Sequence, residues 1–227
     1  MEGHELQSLI TMLFNRLTGL HAPDYFVILG FIMLGTLALS FLATRRLSED
    51  RPGVLQQILE ITVETLSKSL HDIIGHNGPK YLPIVGTFAV LILVSNLIGM
   101  VPGFMPPTGN IIVTLSLGLT SFLAYNVCGL RAQGLSYFKE FAGPVWWLAF
   151  LFIPIEIVSH LARPMSLGIR LFGNIFGDHQ VGGVFLSLVP PVLPVPFLLL
   201  GIFVAFVQTL VFSLLSMIYI AQAVEHH

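Results

Sequence analysis

The residues of this chain best suited to chemistry inside a membrane form a line. Glu156, Ser159, Arg163, Ser166, Arg170 and Asn174 follow one another at spacings of three, four, three, four and four residues. On a helix turning about 100° per residue, that spacing puts them on one narrow face. Asp178 extends the line by four more residues with some angular drift, and His160 flanks it. Near the middle is Arg170, whose guanidinium keeps its charge at physiological pH. The surrounding segment, 144–189, is mostly apolar. A charge in hydrocarbon costs about 3 kcal/mol or more, so Arg170 must face protein or water and is a functional candidate by default.

Acids, hydroxyls and an amide in a row can hand protons along, and a fixed cation favours the charged form of a nearby carboxyl. Arg170 has no such carboxyl close by in its own helix. The positions three and four residues away are Ser166, Leu167, Gly173 and Asn174, and only those could pair with it locally. The other acids deep in a span, Glu156 and Asp178, share its stripe. The natural inference is a carboxylate on another polypeptide, and Gly168, Gly173 and Gly177 would let that partner approach closely. From Glu156 to Asp178 is 22 residues. That is roughly 33 Å of helix, about one hydrocarbon thickness.

The last apolar segment adds Gln208, Thr209, Ser213, Ser216 and Gln222, and Asn96 lies near the outer end of an earlier one. Bonds between helices and a direct place on an ion path both suit Gln208 and Asn96. His179 stands nine residues past Arg170, which points it the opposite way on a straight helix. A neutral imidazole bonded to a neighbouring helix suits that position.

These residues require membrane helices to position them. Of the 227 residues 55% are hydrophobic and 10% charged, with mean hydropathy +0.86. Soluble domains carry about 25% charged residues, so the chain reads as an integral membrane protein. Its ten basic residues are scattered and its net charge is −2, which gives no footprint for nucleic acid. Cys128 is the single cysteine; it excludes an intrachain disulfide and suits a small apolar helix position.

The sequence predicts an all-α, polytopic fold with about five membrane helices, an amphipathic interfacial helix and a long tilted C-terminal helical hairpin, in a single membrane domain over 1–227. Residues 1–24 form an outer segment that lacks the pattern of a cleavable signal. The first span covers 25–43 and is followed by Arg45, Arg46 and Arg51, which marks that side as cytoplasmic and the N-terminus as outside. Residues 50–75 alternate as an amphipathic helix at the interface. A two-span hairpin covers 81–130. Its short outer loop carries no charge, whereas Lys68, Lys80, Arg131 and Lys139 fall on the inner side. The stripe segment would measure roughly 69 Å as one helix. It is therefore two spans, or one strongly tilted and bent, with Pro154 and Pro164 as bending points. With the last helix, which ends near Val224, it forms the hairpin over 144–224.

Arg163-Pro164-Met165-Ser166-Leu167-Gly168-Ile169-Arg170-Leu171-Phe172-Gly173-Asn174 closely resembles the signature of subunit a of F-type ATP synthases. Asn96-Leu97-Ile98-Gly99-Met100-Val101-Pro102, Val113-Thr114-Leu115-Ser116 and the last helix from Gln208 to Tyr219-Ile220-Ala221-Gln222-Ala223 are similar too. The resemblance implies a non-catalytic stator subunit, without cofactor or metal, in a bacterial-type inner membrane, with its C-terminus cytoplasmic. It implies partners: a rotating ring of subunit c, the peripheral-stalk subunit b, the rest of the ATP synthase and the bilayer. It also implies two offset half-channels. By the same resemblance Arg170 is the essential arginine, and Asn174, Gln208 and Asn96 belong to the outer half-channel. Glu156, Ser159 and Ser166 lie toward the cytoplasmic exit. The chain departs from the family where His179 replaces a frequent Glu, and where Gly201 and Gly99 stand at positions that carry ionisable groups in some members. Asp178 and His179 are then the expected outer relay.

Other classes fit poorly. A secondary transporter would show inverted repeats, and none is evident. An intramembrane protease needs a positioned nucleophile and base, whereas Ser159 and His160 point about 100° apart on a helix. No Gly-rich phosphate loop or His-Glu-x-x-His zinc motif occurs.

Overall fold

The computed structural model describes residues 23–45, 53–100, 106–134, 149–188 and 194–224, with 11, 14–16, 19 and 137. Its long elements are six helices: α1 Asp24–Arg45, α2 Val54–Ile74, α3 Leu82–Ile98, α4 Ile111–Gln133, α5 Ala149–Leu188 and α6 Pro194–Val224. Short 3-10 turns at Gly78–Tyr81 and Pro107–Gly109 precede α3 and α4. Among the described residues four stretches are long and apolar enough to cross a membrane: Gly78–Ile98, Ile111–Gln133, Phe150–Val184 and Leu198–Val224. Within α1, Tyr25–Ala38 is a shorter apolar run. The fold is the expected polytopic all-helical one.

Local chemistry sets the helix boundaries. α2 ends at Gly75, whose φ of +86° is one that L side chains rarely adopt, and its N–H closes on the His71 carbonyl at 2.8 Å. α3 opens with Pro83 in its first turn, where a missing N–H costs nothing. It stops at Ile98, short of the expected Val101, because Gly99 and Met100 turn and the Met100 N–H bonds the Leu97 carbonyl at 3.0 Å. Asn110 caps α4 by accepting from the Ile112 N–H at 2.9 Å.

The stripe segment forms one helix. α5 runs 40 residues through both Pro154 and Pro164, about 60 Å at 1.5 Å per residue. The two-span alternative is therefore set aside. Internal prolines are tolerated in membrane helices when neighbours meet the freed backbone groups.

α5 lies along α4, α6 packs on α3, α4 and α5, and α1 touches α3. α2 packs on the turn at Gly78–Tyr81, on α3 and on α6. Two apolar clusters hold the bundle. One joins Leu70, Val85, Tyr125, Met217 and Ile220, where α2 to α4 and α6 converge. The other joins Phe88, Ile92, Leu117, Leu167, Leu171 and Phe212. Many large apolar side chains stay exposed, among them Phe26, Leu34, Phe150 and Phe203, as a lipid-facing surface requires. Arg46, Arg51 and Lys139, used above for orientation, lie outside the described residues, as do Pro190 and Pro191.

Candidate functional site

The stripe follows the edge of α5's packed face. Leu167, Leu171 and Ile175 are buried in the bundle, while Met165, Ile169 and Phe176 are exposed. Between them Glu156, Ser159, Arg163, Asn174 and Asp178 are half-buried, and Ser166 and Arg170 are exposed. Arg170 thus leans out of its own bundle among lipid-type side chains. No ion pair joins it to an acid among the described residues. Gly173, the residue three further on, has open space where a side chain would stand.

Gly168, expected to admit a partner, serves a different contact. A Cβ there would sit 2.9 Å from the Leu115 Cα and the Thr114 carbonyl oxygen, so this glycine lets α4 approach. Gly173 and Gly177 have no atom within 4 Å of a built Cβ and keep the expected openness.

Gln208 stands level with Arg170. Ser121 Oγ on α4 and Ser216 Oγ on α6 lie 2.9 Å apart. These helices run the same way, so Gln208, eight residues before Ser216, comes opposite the region of Val113. α5 runs oppositely, and Gly168 against Thr114 and Leu115 brings Arg170 to the same level. Gln208 is buried. Its neighbours are spent on local bonds: Thr209 donates to the Ala205 carbonyl and Ser213 to the Thr209 carbonyl, both at 2.8 Å.

Asn96 has a structural bond. It is wholly buried and its Oδ1 accepts from the Thr108 hydroxyl at 2.7 Å, tying the end of α3 to the 3-10 turn at Pro107–Gly109. Its Nδ2 and the neighbouring Ser95 hydroxyl have no hydrogen-bond partner.

Gly201 is buried, and a Cβ there would meet the Met100 sulfur at 2.7 Å. The Met100 thioether thus occupies the space an ionisable side chain would need. Asp178 lies two turns beyond Arg170, half-buried and engaged in an interaction of its own. His179 is in α5, but its side chain lies outside the described residues.

At the other end of the stripe, α4 and α6 supply two residues that spacing did not single out. The Tyr125 hydroxyl lies 3.3 Å from His160 Nδ1. The Arg163 guanidinium lies 5.4 Å from the centre of the Tyr219 ring. Periodicity within α5 cannot reveal partners on other helices; a tyrosine hydroxyl inside an apolar span was the available signal. Among the described residues no three His, Cys, Asp or Glu side chains converge as a metal site needs.

These features define a multi-pass helical membrane protein whose longest helix carries an ionisable stripe past an arginine with no ion-paired acid among the described residues. The profile of the ATP synthase A chain matches residues 25–221, from the start of α1 nearly to the end of α6. ATP synthase subunit a 1 of Syntrophotalea carbinolica is 51% identical over 194 residues, covering 86% of this chain and 82% of that protein. ATP synthase subunit a of Trichlorobacter lovleyi is 43% identical over 189 residues, 83% of this chain and 82% of its own. ATP synthase subunit a of Citrifermentans bemidjiense is 42% identical over 203 residues, 89% and 88% of the two chains. The chain belongs to the ATP synthase A chain family, the subunit a of the synthase membrane sector.

Proposed function

We propose that this chain conducts protons through the membrane sector of a rotary F-type ATP synthase, as one integral stator unit. It provides two half-channels that meet a rotating ring of subunit c on either side of Arg170. It does no chemistry on ATP. Subunit b and the rest of the complex hold it in place, in a bacterial-type plasma membrane with the N-terminus outside and the C-terminus cytoplasmic.

The observation that carries this reading is the exposure of Arg170 on α5 with no ion-paired acid among the described residues. A buried or lipid-facing cation without a counter-charge is too costly to keep. A carboxylate presented by another subunit relieves that cost and leaves when the subunit moves on. A ring carboxyl arriving beside Arg170 is driven to its charged form by the nearby cation and releases its proton. Displaced past Arg170, it is reprotonated from the other side. The fixed charge of Arg170 also repels a proton that would pass directly between the half-channels. Each charge moved across the membrane gains about 2.3 kcal/mol per 100 mV.

The level match of Gln208 with Arg170 supports a polar neighbourhood where the two half-channels meet. Asn174, Asn96 and Gln208 are assigned to the outer half-channel, with Asp178 and His179 as its relay, and Glu156, Ser159 and Ser166 to the cytoplasmic one.

The test is Arg170→Ala in everted membrane vesicles holding the whole complex, with ATP-driven acidification followed by a fluorescent probe. Pumping is abolished while ATP hydrolysis by the soluble sector persists. Normal pumping by this variant overturns the reading.

A further inference from the structure

The inner end of the stripe is more elaborate than a simple row of proton carriers requires. Glu156 Oε1 faces two nitrogen groups at once: His160 Nε2 at 3.6 Å and Arg163 Nη2 at 4.0 Å. The imidazole is the most enclosed of the three, with 13% of its side chain exposed against 23% for Arg163 and 39% for Glu156. It stands edge-on to Phe122, with ring centres 6.4 Å apart, and tilted against Tyr125 at 6.0 Å. Tyr125 in turn packs on Tyr219 at 5.8 Å, and Tyr219 lies under the Arg163 guanidinium. His160 therefore touches Tyr125 on α4 and Glu156 on α5, and these two in turn meet Tyr219 on α6 and Arg163 on α5.

The hydrogen-bond inventory orders this cluster. A neutral imidazole has one N–H and one acceptor nitrogen, and a carboxylate accepts only. If Nδ1 carried the proton, Nε2 would turn its lone pair toward Glu156. If the Tyr125 hydroxyl donates to Nδ1, the proton sits on Nε2 and points at the carboxylate, and both contacts are favourable. The protonated imidazole also donates toward Glu156. At 3.6 and 4.0 Å the contacts to Glu156 are longer than hydrogen bonds, so what they supply is direction. The rings of Phe122 and Tyr125 hold His160 in place, and Tyr219 does the same for Arg163.

We propose that His160 is a positioning residue for Glu156: with its tautomer set by Tyr125, it holds the carboxylate between its own Nε2 and the Arg163 guanidinium and so fixes the inner end of the proton path. The inference rests on the reading of this chain as a proton-conducting subunit with Glu156 on that path. It adds Tyr125, His160, Arg163 and Tyr219 as the frame that keeps the carboxylate aimed along α5.

The test measures ATP-driven proton pumping, per ATP hydrolysed, in everted vesicles with the whole complex. His160→Ala slows pumping about tenfold, the size of a coupling between groups in contact. His160→Gln, whose amide N–H reaches as far as Nε2, restores most of the rate, and His160→Asn, which is too short, does not. Tyr125→Phe gives a smaller loss in the same direction. In a Glu156→Gln background His160→Ala adds no further loss, which a merely structural role would not produce. Normal pumping by His160→Ala overturns the proposal. So does a double variant whose losses multiply, or normal pumping by Glu156→Gln. If His160→Ala fails to assemble, the comparison of His160→Gln with His160→Asn decides, and equal rates overturn it. Normal pumping by Arg170→Ala instead removes the proton path itself, so the two failures are distinct.

Discussion

Gly118 on α4 and Gly168 on α5 meet at the closest approach of their helices: a Cβ built on Gly118 would overlap the Pro164 carbonyl and lie 3.4 Å from the Gly168 N. The relation is reciprocal, since a Cβ on Gly168 would press on the backbone of Thr114 and Leu115. Both clashes are with main chain, which cannot swing aside as a side-chain tip can. This contact sets the height of Arg170 against α4 and so against Gln208.

Substituting the two kinds of glycine on α5 should separate folding from function. Gly168→Val forces α5 away from α4 and destabilises the bundle by about 1–3 kcal/mol, as overpacking does. It lowers the thermal midpoint of the purified complex. Gly173→Leu meets open space, so it changes that midpoint by less than about 0.5 kcal/mol equivalent. On the proposed function it still slows proton pumping, because the added side chain would stand near Arg170 on the face assigned to the ring. Equal loss of stability by both variants would contradict the assignment of the two faces.

Thr108 is expected to matter through Asn96 alone. Thr108→Val keeps the shape but removes the donor to Asn96 Oδ1, leaving a buried acceptor unmet at about 1–3 kcal/mol. Thr108→Ser retains the hydroxyl and most of the stability. Thermal midpoints of the two variants check this, and a valine variant as stable as the parent would show that the bond carries no weight.

The pair Glu64–Lys68 on α2, 2.7 Å apart, should be silent near neutral pH. Its hydrogen bond and then its charge hold the Glu64 carboxyl below its ordinary value of 4.5, and they hold the Lys68 ammonium above its ordinary 10.5. A lowered acid gives stability that is present above its unfolded value and lost as pH falls through the folded one. A raised base gives stability that is lost as pH rises through its own folded value. Both groups are fully exposed, where salt screens them and such pairs contribute little. Lys68→Ala therefore leaves the thermal midpoint unchanged across neutral pH. A clear drop there would give α2 a larger electrostatic role.

The stripe was legible in the sequence because a helix repeats every 3.6 residues and its residues keep that beat from Glu156 to Asn174. The amphipathic α2 was legible for the same reason. The continuity of α5 was not, because Pro154 and Pro164 carry the local signature of a break, and only a packed surrounding decides that the helix runs on. The contact made by Gly168 was misread, since a small residue on a helix marks a close approach without saying to what. The partners of the stripe were beyond reach in the same way. Tyr125, Tyr219 and Thr108 come from other segments, and spacing within one helix does not encode which face of another it meets.

The length of α5 has a geometric consequence. A helix of 40 residues, about 60 Å, cannot stand upright in about 30 Å of hydrocarbon, so it leans far over. Depth along such a helix is also distance sideways. The Glu156 and Asp178 ends of the stripe, roughly 33 Å apart along the axis, are therefore separated in the plane of the bilayer as well as across it. On the proposed function, a proton taken in at one end and released at the other would meet a neighbouring rotor at two different bearings.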